Sequence, residues 1–251
     1  MKSGSFVFRF RMVFMALIIG IGFSTPWVEL WDIGSRITLL EWLALELSRL
    51  GLLSFTVATP VVIVCGALVA ALGAWLRIWG SAWLGHGVVI NQNMQGAELM
   101  ADGPCRYVRN PLSIGMYLWV AALCLMMPAA GALFVLIAVP VLIGFLISGE
   151  ESFLSARLGA PYQAYLRAVP RLFPRVRTTL GRSGNRPHWG QAVASEINPI
   201  GVFIAIAGFS WSYNHWLMVK VVIVTFGLSL VVRAVMPGLR PGADSPKSPA
   251  N

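Results

Sequence analysis

Leu112–Ile147 reads LSIGMYLWVAALCLMM, then PAA, then GALFVLIAVPVLIGFLI, and this stretch decides the fold. Two apolar runs flank Pro128-Ala129-Ala130, a break too short for anything but an antiparallel return. Each run approaches the ~20 residues that a helix needs to cross a ~30 Å hydrocarbon core. Lipid offers no partner for open backbone donors and acceptors, so both runs must be helical. An all-α, polytopic membrane helical bundle follows. Composition carries that reading beyond the hairpin. Of 251 residues, 57% are hydrophobic and only 12% charged, with a mean hydropathy of +0.73, whereas soluble domains are about a quarter charged.

Working outward, the sequence predicts six spans: Met12–Trp31, Gly51–Leu76, Leu112–Met127, Gly131–Ile147, Ala192–Trp211 and Trp216–Val235. The first could instead be a cleaved signal, since Lys2, Arg9 and Arg11 precede its apolar core. No small-x-small cleavage site follows, and the run ends in Pro26-Trp27, which favours a retained helix. Pro60 predicts a kink in the second span. Between spans one and two, Ile37–Leu50 sets Glu41, Glu46 and Arg49 among leucines at helical spacing, the pattern of a helix lying at the interface. The tail 237–251, rich in Pro, Gly and Ser, is expected to be disordered. Four regions result: N-terminal helices over 1–76, a polar segment with its hairpin over 77–174, C-terminal helices over 175–236, and the tail.

Charge orients this arrangement. With both ends cytoplasmic, the inner segments hold 16 of the 19 basic residues, leaving Arg36, Arg49 and Lys220 outside. That bias obeys the positive-inside rule. The net charge of +9 is therefore mainly a topology signal, with attraction to anionic headgroups added. No compact basic domain exists to carry nucleic-acid binding. Cys65, Cys105 and Cys124 lack metal-ligand spacing and read as packing residues, so no metal site is expected.

The same orientation puts the two most polar segments, 77–110 and 149–188, on one face beside the hairpin. The first ends ADGPCRYVRNPLSIG over residues 101–115, and the second begins EESFLSARLGAPYQAYLRAVPRLFP over residues 150–174. Together they resemble the isoprenylcysteine carboxyl methyltransferase family, which is similar in this segment to phospholipid N-methyltransferases. The matching positions are Gly103, Pro104, Arg109, Asn110, Pro111 and Gly115, then Glu150, Glu151, Leu154, Gly159, Tyr162, Tyr165, Val169, Pro170 and Arg171. The resemblance spans about residues 77–174. Cys105 and Ser113 stand where the family usually has tyrosines, and Asn110 where its eukaryotic members have histidine.

The resemblance implies an integral-membrane methyltransferase that uses S-adenosyl-L-methionine and acts on a lipophilic acceptor, a prenylated carboxylate or lipid-like amine. The implied site residues are Arg109, Glu150 and Glu151 for catalysis, with Gly103, Arg106, Asn110, Pro111, Gly115, Tyr162 and Tyr165 added for the cofactor. Physical chemistry supports these types. The methionine carboxylate suits a guanidinium fork, Arg109 first and Arg106 second. The ribose diol or the ammonium suits a carboxylate. Adjacent helix residues point about 100° apart, so one of Glu150 and Glu151 should reach the cofactor while the other holds an arginine. Tyr162 and Tyr165 share a helix face and could close over it.

Blander readings stand beside each assignment. An arginine before a span is commonly a topology anchor, paired glutamates at a helix end are usually solvated, and tyrosines often anchor at the interface. Arg77 and His86 fit interfacial residues as well as an acceptor path. Glu196, before Asn198-Pro199, could snorkel or mark a helix break facing a cavity. Two other functions compete: a membrane-bound NADPH-dependent, sterol-reductase-like enzyme, and a non-catalytic scaffold. The oligomeric state is not legible. The expected location is the cell inner or plasma membrane, with the active site on the cytoplasmic face.

Overall fold

A computed structural model of the chain describes residues 7–32, 34, 36–84, 102–175, 177, 186–212 and 214–235. His86 and the tail 237–251 lie outside these residues. The described chain is helical, with one isolated bridge between Thr38 and Pro128. In order the helices are α1 (Arg11–Ser24), α2 (Pro26–Trp31), α3 (Leu39–Arg49), α4 (Phe55–Leu84), α5 (Pro111–Leu123), α6 (Ala129–Leu158), α7 (Ala160–Ala168), α8 (Trp189–Ser195), α9 (Ile197–Ser212) and α10 (His215–Val235).

Among the described residues, three stretches are long and apolar enough to cross a membrane: Arg11–Val28, Phe55–Trp83 and Ala129–Leu158. The pair α8 and α9, bent by 67° at Glu196, makes a fourth if counted as one span, while Pro111–Met126 and Trp216–Val232 are shorter apolar helices. Leu68, Ile137, Phe145 and Val224 are each more than half exposed, as lipid-facing side chains are.

Two helices run further than the hydropathy pattern predicts. α4 continues to Leu84 rather than ending at Leu76, and α6 continues to Leu158 rather than Ile147. Charged residues end an apolar run but not a helix. α6 stops only at Gly159, whose φ of 61° is left-handed and which is followed by Pro161 in the first turn of α7. Glu150 and Glu151 are thus inside α6, away from the opposing dipole of its last turn. Pro60 and Pro140 are both accommodated within continuous helices.

Small residues bring the helices together. A Cβ on Gly131 would strike the Gly22 carbonyl, so α1 and α6 meet backbone to backbone. A Cβ on Gly73 would lie 2.8 Å from Trp119 N and 2.9 Å from Gly115 O, so α4 and α5 do likewise. Close packing of this kind drives helix association where lipid removes the hydrophobic incentive. Around these crossings lie two cores, one with Met15, Val120, Val135, Val139 and Ile143, the other with Ile63, Ala70, Leu125, Val202 and Ile206. α3 starts with a capping box, the Thr38 hydroxyl accepting from Glu41 N and Glu41 accepting from Thr38 N. Leu39 N donates to Met127 O and Ala129 N to Ile37 O, so α3 is fastened across the turn of the α5–α6 hairpin.

Candidate active site

The site lies at the other end of that hairpin, where the chain enters α5 and leaves α6. Gly103 has a left-handed φ of 54°, and any side chain there would run into the Trp83 indole of α4. From it starts a 3₁₀ turn, Gly103–Arg106, which buries Pro104 and Cys105. Arg106 closes the turn, half-buried. Asn110 then caps α5, and Pro111 fills the first helical position, where its missing N–H costs nothing.

Among the described residues, four hydrogen bonds to backbone carbonyls stitch this first block to the second. Arg109 N donates to Pro170 O at 2.9 Å, and Arg175 N donates to Tyr107 O at 3.0 Å. The Asn110 amide donates to Arg171 O at 3.1 Å, and the Tyr165 hydroxyl donates to Cys105 O at 2.9 Å. Segments about sixty residues apart in sequence thus form one unit.

At its centre sits Glu151. Its Oε1 accepts from Arg109 Nη1 at 2.8 Å and Arg171 Nε at 3.3 Å, and its Oε2 accepts from Arg171 Nη2 at 2.7 Å. Arg171 also donates to Ser148 Oγ at 3.0 Å. The Arg109 and Glu151 side chains are only 15% and 17% exposed, so water screens their pairing little. Arg109 Nε is buried with no hydrogen-bond partner among the described residues. Glu150, one position earlier, interacts electrostatically with Arg11 at the start of α1 and with Glu151.

Tyr162 and Tyr165 form a buried patch with Val169, their ring centroids 5.9 Å apart. Burial, with Glu151 and then Glu150 adding to it, pushes the Tyr162 phenol up to about 12. Burial also raises Tyr165. The Cys105 thiol is pushed up to about 12 by burial first, then by Glu150 and Asp102. All three groups therefore stay protonated at neutral pH.

The predicted residues divide by environment. Arg109, Glu151, Asn110, Tyr162 and Tyr165 converge where the blocks meet. Gly115 instead sits in the α4–α5 crossing, where an added Cβ would be 2.7 Å from both Gly73 O and Arg77 Cγ. Gly103 serves the packing of Trp83. Sequence reasoning assigned no role to Arg171 or Ser148, although the place of Arg171 in the second block was a usable signal. Nor did it find the partner of Glu196: this carboxylate, 1% exposed, accepts from Arg77 Nε at 2.6 Å, Arg77 Nη2 at 3.0 Å and Ser81 Oγ at 2.7 Å.

An apolar-walled groove of about 290 Å³ adjoins Ser148. It runs between Val7 and Phe8 on one side and Phe145, Leu146, Gly149 and Ser152 of α6 on the other.

Residues 61–160 match the phospholipid methyltransferase family. No curated protein and no solved structure matches the chain. Helical fold, apolar spans and matched segment define the class, a membrane methyltransferase. The likeness to the phospholipid methyltransferase family lies in that segment, which covers less than half of the chain.

Proposed function

We propose that the chain transfers a methyl group from S-adenosyl-L-methionine to a lipophilic acceptor that reaches the site sideways from the bilayer. The catalytic unit is the segment 77–174, and the observation that carries the reading is the buried Arg109–Glu151–Arg171 cluster at the meeting of the two blocks. Two guanidinium groups share one carboxylate there, which leaves one positive charge and the buried Arg109 Nε to receive an anionic group. A methionine carboxylate fits that need through paired donors. Glu150 offers a second carboxylate nearby for a ribose diol or ammonium. Tyr162, held neutral, has a hydroxyl to donate, and its ring, tilted 37° to that of Tyr165, supplies apolar surface for an adenine.

When bound, the donor supplies a methyl group on a sulfonium, already activated for displacement. The protein's own work is to align the acceptor and to exclude water. Neutralising opposite charges is favoured in a dry site of low dielectric. For an anionic acceptor no general base is then required. The groove beside Ser148 suits an apolar chain, which gains ~0.8 kcal/mol per buried methylene. We place six spans in the inner or plasma membrane, with both termini and the active site cytoplasmic, because 16 of 19 basic residues then face inward.

Calorimetry with S-adenosylhomocysteine on the purified protein tests this. The parent should bind, while Arg109→Ala and Glu151→Gln should each lose ~2–5 kcal/mol, one to several decades in affinity. Arg49→Ala, far along the sequence in an exposed i,i+3 pair, should bind as the parent does. Equal affinities in all four proteins would remove the cofactor from this cluster. Membranes given radiolabelled donor should place the label in the organic phase. Label confined to water-soluble products, at undiminished rate in lipid-free detergent, would refute a lipophilic acceptor.

A further inference from the structure

Glu196 lies beyond the family match, in the break between α8 and α9, and its carboxylate is fully buried. A carboxylate among apolar helices is costly unless paired, so its three donors carry meaning. Two belong to Arg77, whose fork engages both carboxylate oxygens; the third is the Ser81 hydroxyl one turn further along α4. The remaining terminal nitrogen of Arg77, Nη1, points elsewhere and donates to Leu112 O at 3.3 Å. Leu112 is the second residue of α5, three positions after Arg109. The Arg77 stem lies against the place where Gly115 has no side chain, so it reaches α5 over a notch that only glycine leaves open.

Arg109 is thus fixed from two sides. Its own N–H is tied to Pro170 O, and the first turn of α5 is held by Arg77. We propose that Glu196 is a positioning residue for the methyl-transfer site: by locking the guanidinium of Arg77 it sets the first turn of α5, and with it the place of Arg109. Arg77 suits this role because a planar fork can serve two acceptors at once, which a lysine ammonium cannot do with fixed geometry. The bent α8–α9 element is then part of the catalytic unit. The effect on catalysis rests on the function proposed above, whereas the effect on α5 does not.

A double substitution separates positioning from simple adhesion. Glu196→Leu alone strands the buried guanidinium and should lower the melting temperature. Arg77→Met with Glu196→Met removes both charges, and apolar replacement of a buried pair is often neutral for stability. That variant should regain the parental melting temperature. It should still show at least tenfold faster hydrogen exchange over residues 109–116, at least tenfold weaker S-adenosylhomocysteine binding, and a raised KM for the methyl donor with the acceptor KM unchanged. If the stable double variant matches the parent in exchange and donor KM, Glu196 is only an adhesive contact and the proposal fails. If the parent binds no S-adenosylhomocysteine, the methyl-transfer reading fails, and the exchange result still decides whether Glu196 positions α5.

Discussion

Glu151 serves two arginines of unequal exposure, the Arg109 side chain at 15% and Arg171 at 41%. Screening by water weakens the second pairing. Arg109→Ala is therefore expected to reduce S-adenosylhomocysteine affinity by tenfold or more and Arg171→Ala by only a few-fold, as read by calorimetry. A reversed order would mean that Arg171 is the main anion ligand. Cys105 and Tyr162 give a second prediction. Their ordinary values of 9.0 and 10.0 are raised to about 12 by burial. From about pH 9 upward the unfolded chain sheds protons that the folded chain keeps, so stability falls as pH rises toward 12. Cys105→Ala should flatten the fall of the melting temperature between pH 8 and pH 10.5. An unchanged slope would show that this thiol does not drive it.

Among the elements, α4 and α5 cross where neither can yield. Gly73→Leu would press its side chain on the Trp119 backbone nitrogen and the Gly115 carbonyl, both main-chain atoms. Overpacking commonly costs ~1–3 kcal/mol, so the melting temperature in detergent should drop by several degrees. Gly144→Leu, with nothing within 4 Å of its Cβ position, is the tolerated control. Equal melting temperatures would refute the close crossing. The α5–α6 hairpin was legible in the sequence because a break of three residues allows one geometry. The end of α4 was not. Arg77 looks like the start of a polar stretch because its partner, Glu196, is 119 residues away, and no local pattern announces it. In the same way Gly115 reads as a motif glycine, yet its neighbours are on α4. The two blocks were legible as a unit, while the hub role of Glu151 needed the fold to bring Arg171 alongside.

For the whole molecule, Arg11 interacts electrostatically with both Glu150 and Arg77, which brings the start of α1 near the later parts of α4 and α6. α3 and the hairpin turn lie at the opposite end. With the basic bias this predicts that reporter fusions after Arg186 and at Asn251 read as cytoplasmic, and those near Asp32 and Asn214 as external. An exported fusion after Arg186 would overturn the six-span arrangement. The Arg77–Glu196 pair also gives assembly an order in time. During synthesis Arg77 leaves the ribosome 119 residues ahead of its counter-ion. Until α8 and α9 arrive, the growing protein carries an uncompensated cation in a helix bound for lipid. Nascent chains halted before Glu196 should therefore remain with the insertion machinery and be degraded, while chains halted after Ser212 should be released into the bilayer and persist. On this account, completion of the bent α8–α9 element is the step at which the newborn protein passes inspection.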